Sequence, residues 1–129
     1  MNMKKRWKIN RLFQNIRYSN RFGSQEDNIR VSKANSYIHE KIKFDICWKL
    51  INQDYTIYTE AIFENNKGRA DIIAISPEGA GFILEIETPK SYEELKDILI
   101  KKRQNYPEEF TLIVIDTKDF DINKFQLPF

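Results

Sequence analysis

The sequence predicts an α/β domain: helix, three strands, helix, strand, with a mixed central sheet flanked by helices and a basic helical arm in front. Three observations carry this. Two runs with helical apolar spacing, from Ser36 to Asn52 and after Ser91, alternate with short β-rich runs. A Ser-Pro-Glu-Gly-Ala-Gly turn at 76–81 joins two of those runs into a hairpin, because Pro presets φ and Gly accepts positive φ. The last run, 110–115, is almost wholly apolar, as a strand paired in parallel and buried on both faces is.

At 129 residues, 41% of them apolar, the chain is long enough for one domain with a real core. Residues 1–33 read as a basic arm and linker, and residues 34–129 as the core domain. The arm carries nine Lys/Arg against Glu26 and Asp27, a net +7, which leaves −5 on the rest of a chain whose total is +2. That asymmetry points to a polyanionic partner. No apolar run has the length of a membrane span, and the basic N-terminus lacks the apolar core of a secretion signal. Cys47 stands alone and reads as a small buried apolar residue, which fits a reducing compartment. A cytoplasmic, intracellular location is expected, with no membrane partner.

Residues 4–18 place Ile9, Leu12, Phe13 and Ile16 at helical spacing, with Lys4, Lys5, Arg6, Lys8, Arg11 and Arg17 over much of the remaining surface. Such a helix either contacts a nucleic-acid backbone, with Trp7 or Tyr18 to stack on bases, or is a peripheral helix with solvated cations. The stretch from Tyr18 to Lys33 has Asn20, Gly23, Ser24 and few large apolar residues, and reads as a linker. Asn35 or Ser36 caps the next helix, which runs to about Asn52. Its stripe is Ile38, Ile42, Ile46 and Leu50, widened by Phe44, Cys47, Trp48 and Ile51. His39 reads as a surface or capping residue, since nothing pairs it with a nucleophile.

Tyr55 to Phe63 is rich in β-formers and predicts the first strand. Glu60 and Glu64 follow; either could join the acidic cluster, but strand-end glutamates are usually solvated and both are left out of the core site, while Asn65-Asn66-Lys67-Gly68 makes a tight connection to the strand holding Asp71. Arg69 shares a face with Asp71 and either balances acid there or contacts a phosphate. Past the hairpin, Ser91-Tyr92-Glu93-Glu94 is a capping box. Tyr92, Leu95, Ile98 and Leu99 form the buried stripe of the second helix, which ends before Pro107. Cations in its last turns suit the helix dipole. Phe120, Ile122 and Phe125 are expected to anchor a short terminal helix or turn.

The hairpin carries acids where strands usually carry apolar residues. Asp71 shares a face with Ile73 and Ile75, and Glu85 shares one with Glu87, while Phe82, Leu84 and Ile86 form the core face. Pairing across the turn brings Asp71 beside Glu85 and Glu87. Like charges about 4 Å apart repel by roughly 4 kcal/mol at an effective dielectric near 20. A raised pKa, a basic neighbour or a cation must offset that, and Mg²⁺ takes one or two carboxylates plus waters and substrate phosphate.

Asp71, a gap of thirteen residues and then Glu85-Ile86-Glu87 resemble the PD-(D/E)xK nuclease signature. Gly68-Arg-Ala-Asp-Ile-Ile-Ala74 and Phe82-Ile-Leu-Glu-Ile-Glu87 look like the two halves of its hairpin. The resemblance implies a restriction-endonuclease-like fold with an αβββαβ core, and metal-dependent hydrolysis of nucleic acid, DNA ahead of RNA. It implies Mg²⁺ or Mn²⁺ on Asp71 and Glu85, with Glu87 in the third position, where Lys is usual. Lys90 is then the candidate for a relocated amine. An acid on the first helix often approaches such a site, making Glu40 a metal or water ligand; the alternative is a solvated glutamate. The second helix often carries a Lys or Gln beside the site, making Lys101 and Gln104 candidates for phosphate contact. The alternative from another class is a catalytically inactive nucleic-acid-binding or scaffolding module on the same fold. A homodimer is left open.

Overall fold

The computed structural model describes residues 26–63 and 68–128. Helix α1 spans Tyr37–Ile51, capped by the Ser36 hydroxyl, which accepts the His39 N–H at 3.1 Å. Strands β1 (Thr56–Ile62), β2 (Arg69–Ile75) and β3 (Gly81–Glu87) follow, then helix α2 (Tyr92–Arg103) and strand β4 (Phe110–Asp116). The order is αβββαβ, as expected. The strands lie β1-β2-β3-β4, antiparallel for the first two pairings and parallel between β3 and β4.

The β2–β3 turn closes as its sequence predicts. Gly79 N–H donates to the Ser76 carbonyl, and the Ser76 hydroxyl accepts the Ala80 N–H. Gly79 has φ 91°, a conformation that costs glycine least. The Ser91 cap of α2 also forms: its hydroxyl takes the Glu94 N–H, while the Glu94 carboxylate reaches back to the Lys90 N–H, one residue before the cap.

Two apolar clusters flank the sheet. Ile42, Ile46, Cys47 and Leu50 of α1 pack on Ile72, Ala74, Phe82, Leu84 and Ile86. Tyr58, Ile73, Ile75, Ile83, Tyr106 and Phe110 form the other cluster. The two take alternate residues of β2 and β3, so they lie on opposite faces. Cys47 is buried, and burial pushes its thiol up to about 12. Residues 117–128 form turns rather than a helix, with Phe120, Ile122 and Phe125 packed on the α1 cluster.

Three expectations about burial are corrected. Phe44 and Trp48 do not join the inner stripe; they stack on each other on the exposed side of α1. The residues facing the sheet are 42, 43, 46, 47 and 50, and Phe44 and Trp48 lie roughly 130–170° around the helix from their centre. Ile38 is exposed as well. In α2 no residue is fully buried, and Tyr92 and Leu99 are exposed. Among the described residues strand β4 is a sheet edge, and Leu112, Ile113 and Val114 are half-buried, not enclosed on both faces.

The connection from α2 to β4 is held by Arg103. Its guanidinium donates to the carbonyls of Phe110 (2.7 Å), Pro107 (2.6 Å) and Tyr106 (3.3 Å). Three charge-assisted bonds into one loop fix where Tyr106 stands. Arg103→Ala is expected to destabilise the domain by about 2 kcal/mol, read from urea unfolding; Arg103→Lys recovers less than half, lacking the planar fork.

Candidate active site

Strict strand alternation fails once in β1 and once in β2. Tyr58 and Ala61 share a cluster, and so do Ala70 and Ile73, although residues three apart on a regular strand point to opposite faces. The breaks fall at Glu60 and Asp71, which stand opposite each other between the pairs Thr59↔Ile72 and Ala61↔Ala70. Glu60 has φ 53°, which costs a residue with a Cβ roughly 1–2 kcal/mol. Asp71 therefore does not simply share a face with Ile73 and Ile75; it stands at the break, within reach of α1.

The β2–β3 ladder ends at Ile72↔Leu84. Just beyond, carboxylates replace main-chain carbonyls. Asp71 Oδ2 accepts the Ile86 N–H at 2.8 Å, and Glu85 Oε2 accepts the Asp71 N–H at 3.4 Å. The Asp71 and Glu85 side chains also hydrogen-bond to each other. The expected meeting of these two acids is thus present. Burial, then the neighbouring Asp71 charge, pushes Glu85 up to about 8, so it holds a proton at neutral pH. Asp71 moves the other way: burial opposes its ionisation, but bonds from His39, Glu85 and the Ile86 N–H outweigh that and lower its pKa.

Three groups that sequence reasoning did not place at the site close around this pair. Lys102 Nζ lies 3.6 Å from Glu85 and 3.2 Å from Glu87, and so draws Glu87 to the cluster. Burial lowers the Lys102 pKa, but the charges of Glu85 and Glu87 more than restore it, for a net rise. The Tyr106 hydroxyl donates its one proton to Glu85 Oε1, with the Arg69 carbonyl also within reach at 3.3 Å. Burial, followed by the Glu85 charge, raises the Tyr106 pKa. His39 is neither a simple surface residue nor a cap. Its Nε2 lies 3.2 Å from Asp71 Oδ2 and its Nδ1 2.9 Å from Glu40 Oε1. Burial pulls its pKa down, yet the bonds to Asp71 and Glu40 win and raise it.

Glu40 reaches Asp71 only through His39. Its own oxygens are taken by Lys43 Nζ (2.7 Å), the Ser32 N–H (3.1 Å) and Asn35 Nδ2 (2.8 Å). Burial opposes its charge, but these partners hold it down to about 2. Lys43, 1% exposed, also meets Glu60 Oε1 at 3.0 Å, so Glu60 is an ion-pair partner and not a solvated strand-end acid.

The structure does not bring the remaining candidates to the acids. Lys90 is exposed, with its N–H spent on the α2 cap and no ion pair to Asp71, Glu85 or Glu87. Lys101, Gln104 and Arg69 are exposed, with no bond from their side chains to Asp71, Glu85 or Glu87 among the described residues. Lys4, Lys5, Arg6, Lys8, Arg11, Arg17 and the connection at 64–67 lie outside the described residues. A signal for the missed groups existed. His39 continues the buried stripe of α1 at i−3 from Ile42 and Lys43 at i−3 from Ile46, and Lys102 continues the Leu95–Ile98 line of α2.

As a donor set, two adjacent carboxylates, one destabilised by the other, match the one or two that Mg²⁺ takes. Among the described residues no group of three or more His, Cys, Asp or Glu side chains is arranged to hold a metal ion. No helix of the described residues is long and apolar enough to cross a membrane. No family model, curated protein or solved structure matches the chain.

The two shifted glutamates set opposite pH trends. Folded Glu85 keeps its proton to about 8 while its ordinary value is 4.5, so the folded state binds more protons in between, and stability falls as pH rises through that window. Glu40 contributes stability above 4.5 that fades as pH falls towards 2. Urea midpoints should therefore peak near pH 5, and Glu85→Gln should flatten the decline from pH 5 to 8. The slope removed is at most about 1.4 kcal/mol per pH unit, the value for one proton.

Proposed function

We propose that this protein is a metal-dependent nuclease of the PD-(D/E)xK type, hydrolysing phosphodiester bonds in nucleic acid, DNA ahead of RNA. One observation carries the reading: Asp71 and Glu85 meet at the open end of the β2–β3 ladder, with the Lys102 ammonium on Glu85 and Glu87. The αβββαβ order and mixed sheet agree with a restriction-endonuclease-like core.

In this reading Asp71 and Glu85 hold Mg²⁺ or Mn²⁺, which when bound supplies a Lewis acid and an acidified water. Glu85 gives up its proton to serve as a ligand, because a coordinating carboxylate is ionised. Lys102, from α2, takes the part that the resemblance gives to the third motif position. Its charge, steadied by Glu87, is available to the developing negative charge on the phosphoryl group. His39 keeps the Asp71 carboxylate turned to the site and is itself braced by Glu40. Arg69, Lys101, Gln104 and the basic residues of 4–17 supply phosphate contacts.

A second reading has a specific observation in its favour. The acid oxygens are already engaged by His39, Tyr106 and Lys102, as in a module that binds nucleic acid without cleaving it.

Calorimetric titration with Mg²⁺ or Mn²⁺ at pH 7, in buffers of different ionisation enthalpy, should show release of about one proton per ion bound. Asp71→Asn should abolish both that binding and cleavage of labelled duplex and single-stranded DNA and RNA. Lys102→Ala should lower single-turnover cleavage ~100-fold without weakening ion binding, while Lys90→Ala cleaves like the parent. Nucleic-acid binding with neither ion binding nor cleavage would establish the binding module instead. Deleting residues 1–20 should flatten the salt dependence of nucleic-acid affinity; an unchanged slope would assign the arm to packing or assembly.

A further inference from the structure

The sheet face away from α1 is closed to water, and no described helix closes it. Phe63 and Phe110 are each 1% exposed, Ile75 is 2% exposed, and Ile73 and Ile83 are fully buried. Among the described residues their cluster draws only on the strands, Phe63 and Tyr106. Helix α2 sends Lys102 to Glu85 but gives no residue to the cluster and has none fully buried. Rings and strand residues sealed this well need a further apolar layer above them. Outside the described residues lie 1–25, 64–67 and Phe129. Residues 64–67 are Glu-Asn-Asn-Lys and hold no apolar side chain. Phe129 follows Phe125 and Leu127, which pack on the α1 side. That leaves residues 1–25, and they enter at the right place: the Tyr58 hydroxyl, on the face in question, donates to Glu26 Oε1 at 3.3 Å.

We propose that residues 4–18 form a helix seated on this face, with Ile9, Leu12, Phe13 and Ile16 against Tyr58, Ile73 and Ile75. As a helix, residues 4–18 span about 22 Å, against about 14 Å between the outer strands of a four-stranded sheet, so one helix crosses it. Residues 19–25 reach up to about 23 Å, enough to carry the chain from Glu26 onto the face. Phe44 and Trp48 remain exposed, so the outer side of α1 is not the seat. Lys5 falls on the apolar side at the end of the stripe, where its stem lies along the sheet and its ammonium reaches water. The same rotation lines up Lys4, Trp7, Arg11 and Tyr18 on the opposite, outward side, cations alternating with aromatics. That outward stripe is where the arm meets nucleic acid, by charge and by stacking. This contact rests on the proposed nucleic-acid function; the seat does not.

Hydrogen exchange and urea unfolding of the full chain test the seat with neither metal nor nucleic acid present. Amides of residues 9–16 should exchange at least ~100-fold slower than in an unstructured chain. Leu12→Ala and Phe13→Ala should each raise the unfolded-to-folded ratio about 30-fold, the usual cost of emptying a packed site. The Leu12→Ala loss should be non-additive with Ile75→Ala and additive with Trp48→Ala. Lys4→Glu with Arg11→Glu should leave unfolding unchanged and lower affinity for labelled DNA at low salt about tenfold. Exchange at unstructured rates across 9–16, or Ala variants that unfold like the parent, overturns the seat. Coupling to Trp48 in place of Ile75 overturns its location. An outward pair that destabilises while the inward residues do not overturns its orientation. A stable outward variant that keeps full affinity overturns the nucleic-acid contact and leaves the seat standing.

Discussion

Where β2 and β3 part, the main chain loses its partners, and two carboxylates supply them. Asp71 takes the Ile86 N–H and Glu85 takes the Asp71 N–H, so each acid is bound to the strand that carries the other. A side chain fixed by a backbone bond on a neighbouring strand cannot leave without exposing a buried N–H, which costs on the order of 1–3 kcal/mol. The acids are therefore held together despite their mutual repulsion. Everything around them answers that repulsion: a proton on Glu85, the Lys102 ammonium, the Tyr106 hydroxyl and the His39 ring. Each comes from a different part of the chain, so α1, α2 and the loop before β4 are all tied to one point of the sheet.

The second charged group lies one layer behind. Lys43 is buried between Glu40 and Glu60, and Asn35 bonds the same two acids. A buried ion pair contributes little net stability compared with apolar packing, but loss of one partner is costly, commonly 3–5 kcal/mol. The network thus acts as a positional constraint. It holds Glu60 in its left-handed conformation, next to the break in alternation that frees Asp71 to meet His39. Strain at one residue and a buried lysine on the α1 face together set where a single carboxylate points.

Much of this architecture was legible in the chain. The Ser36 cap, the Ser91 cap, the Ser76–Gly81 turn and the β-rich runs are local signals, and local backbone physics decides them. The carboxylate pair was legible too, because an Asp and a Glu at matched positions of a hairpin must meet. The errors fell where local pattern and tertiary packing part. Phe44 and Trp48 look like core by type, yet α1 turns His39 and Lys43 inward in their place. Lys90 is near the acids in sequence but points to solvent, while Lys102 reaches them from a helix that returns over the sheet.

Local spacing along the chain set the order of elements, the turn that pairs β2 with β3 and the two acids that the turn brings together. These follow from spacing within some twenty residues, where geometry leaves few choices. Long-range packing settled which cations and hydroxyls face those acids, that β4 is the edge strand among the described residues, and that strand alternation breaks at Glu60 and Asp71. Those outcomes depend on how α1 and α2 are rotated and placed on the sheet. That rotation is set by contacts between residues far apart in the chain, such as Lys43 with Glu60 and Lys102 with Glu85.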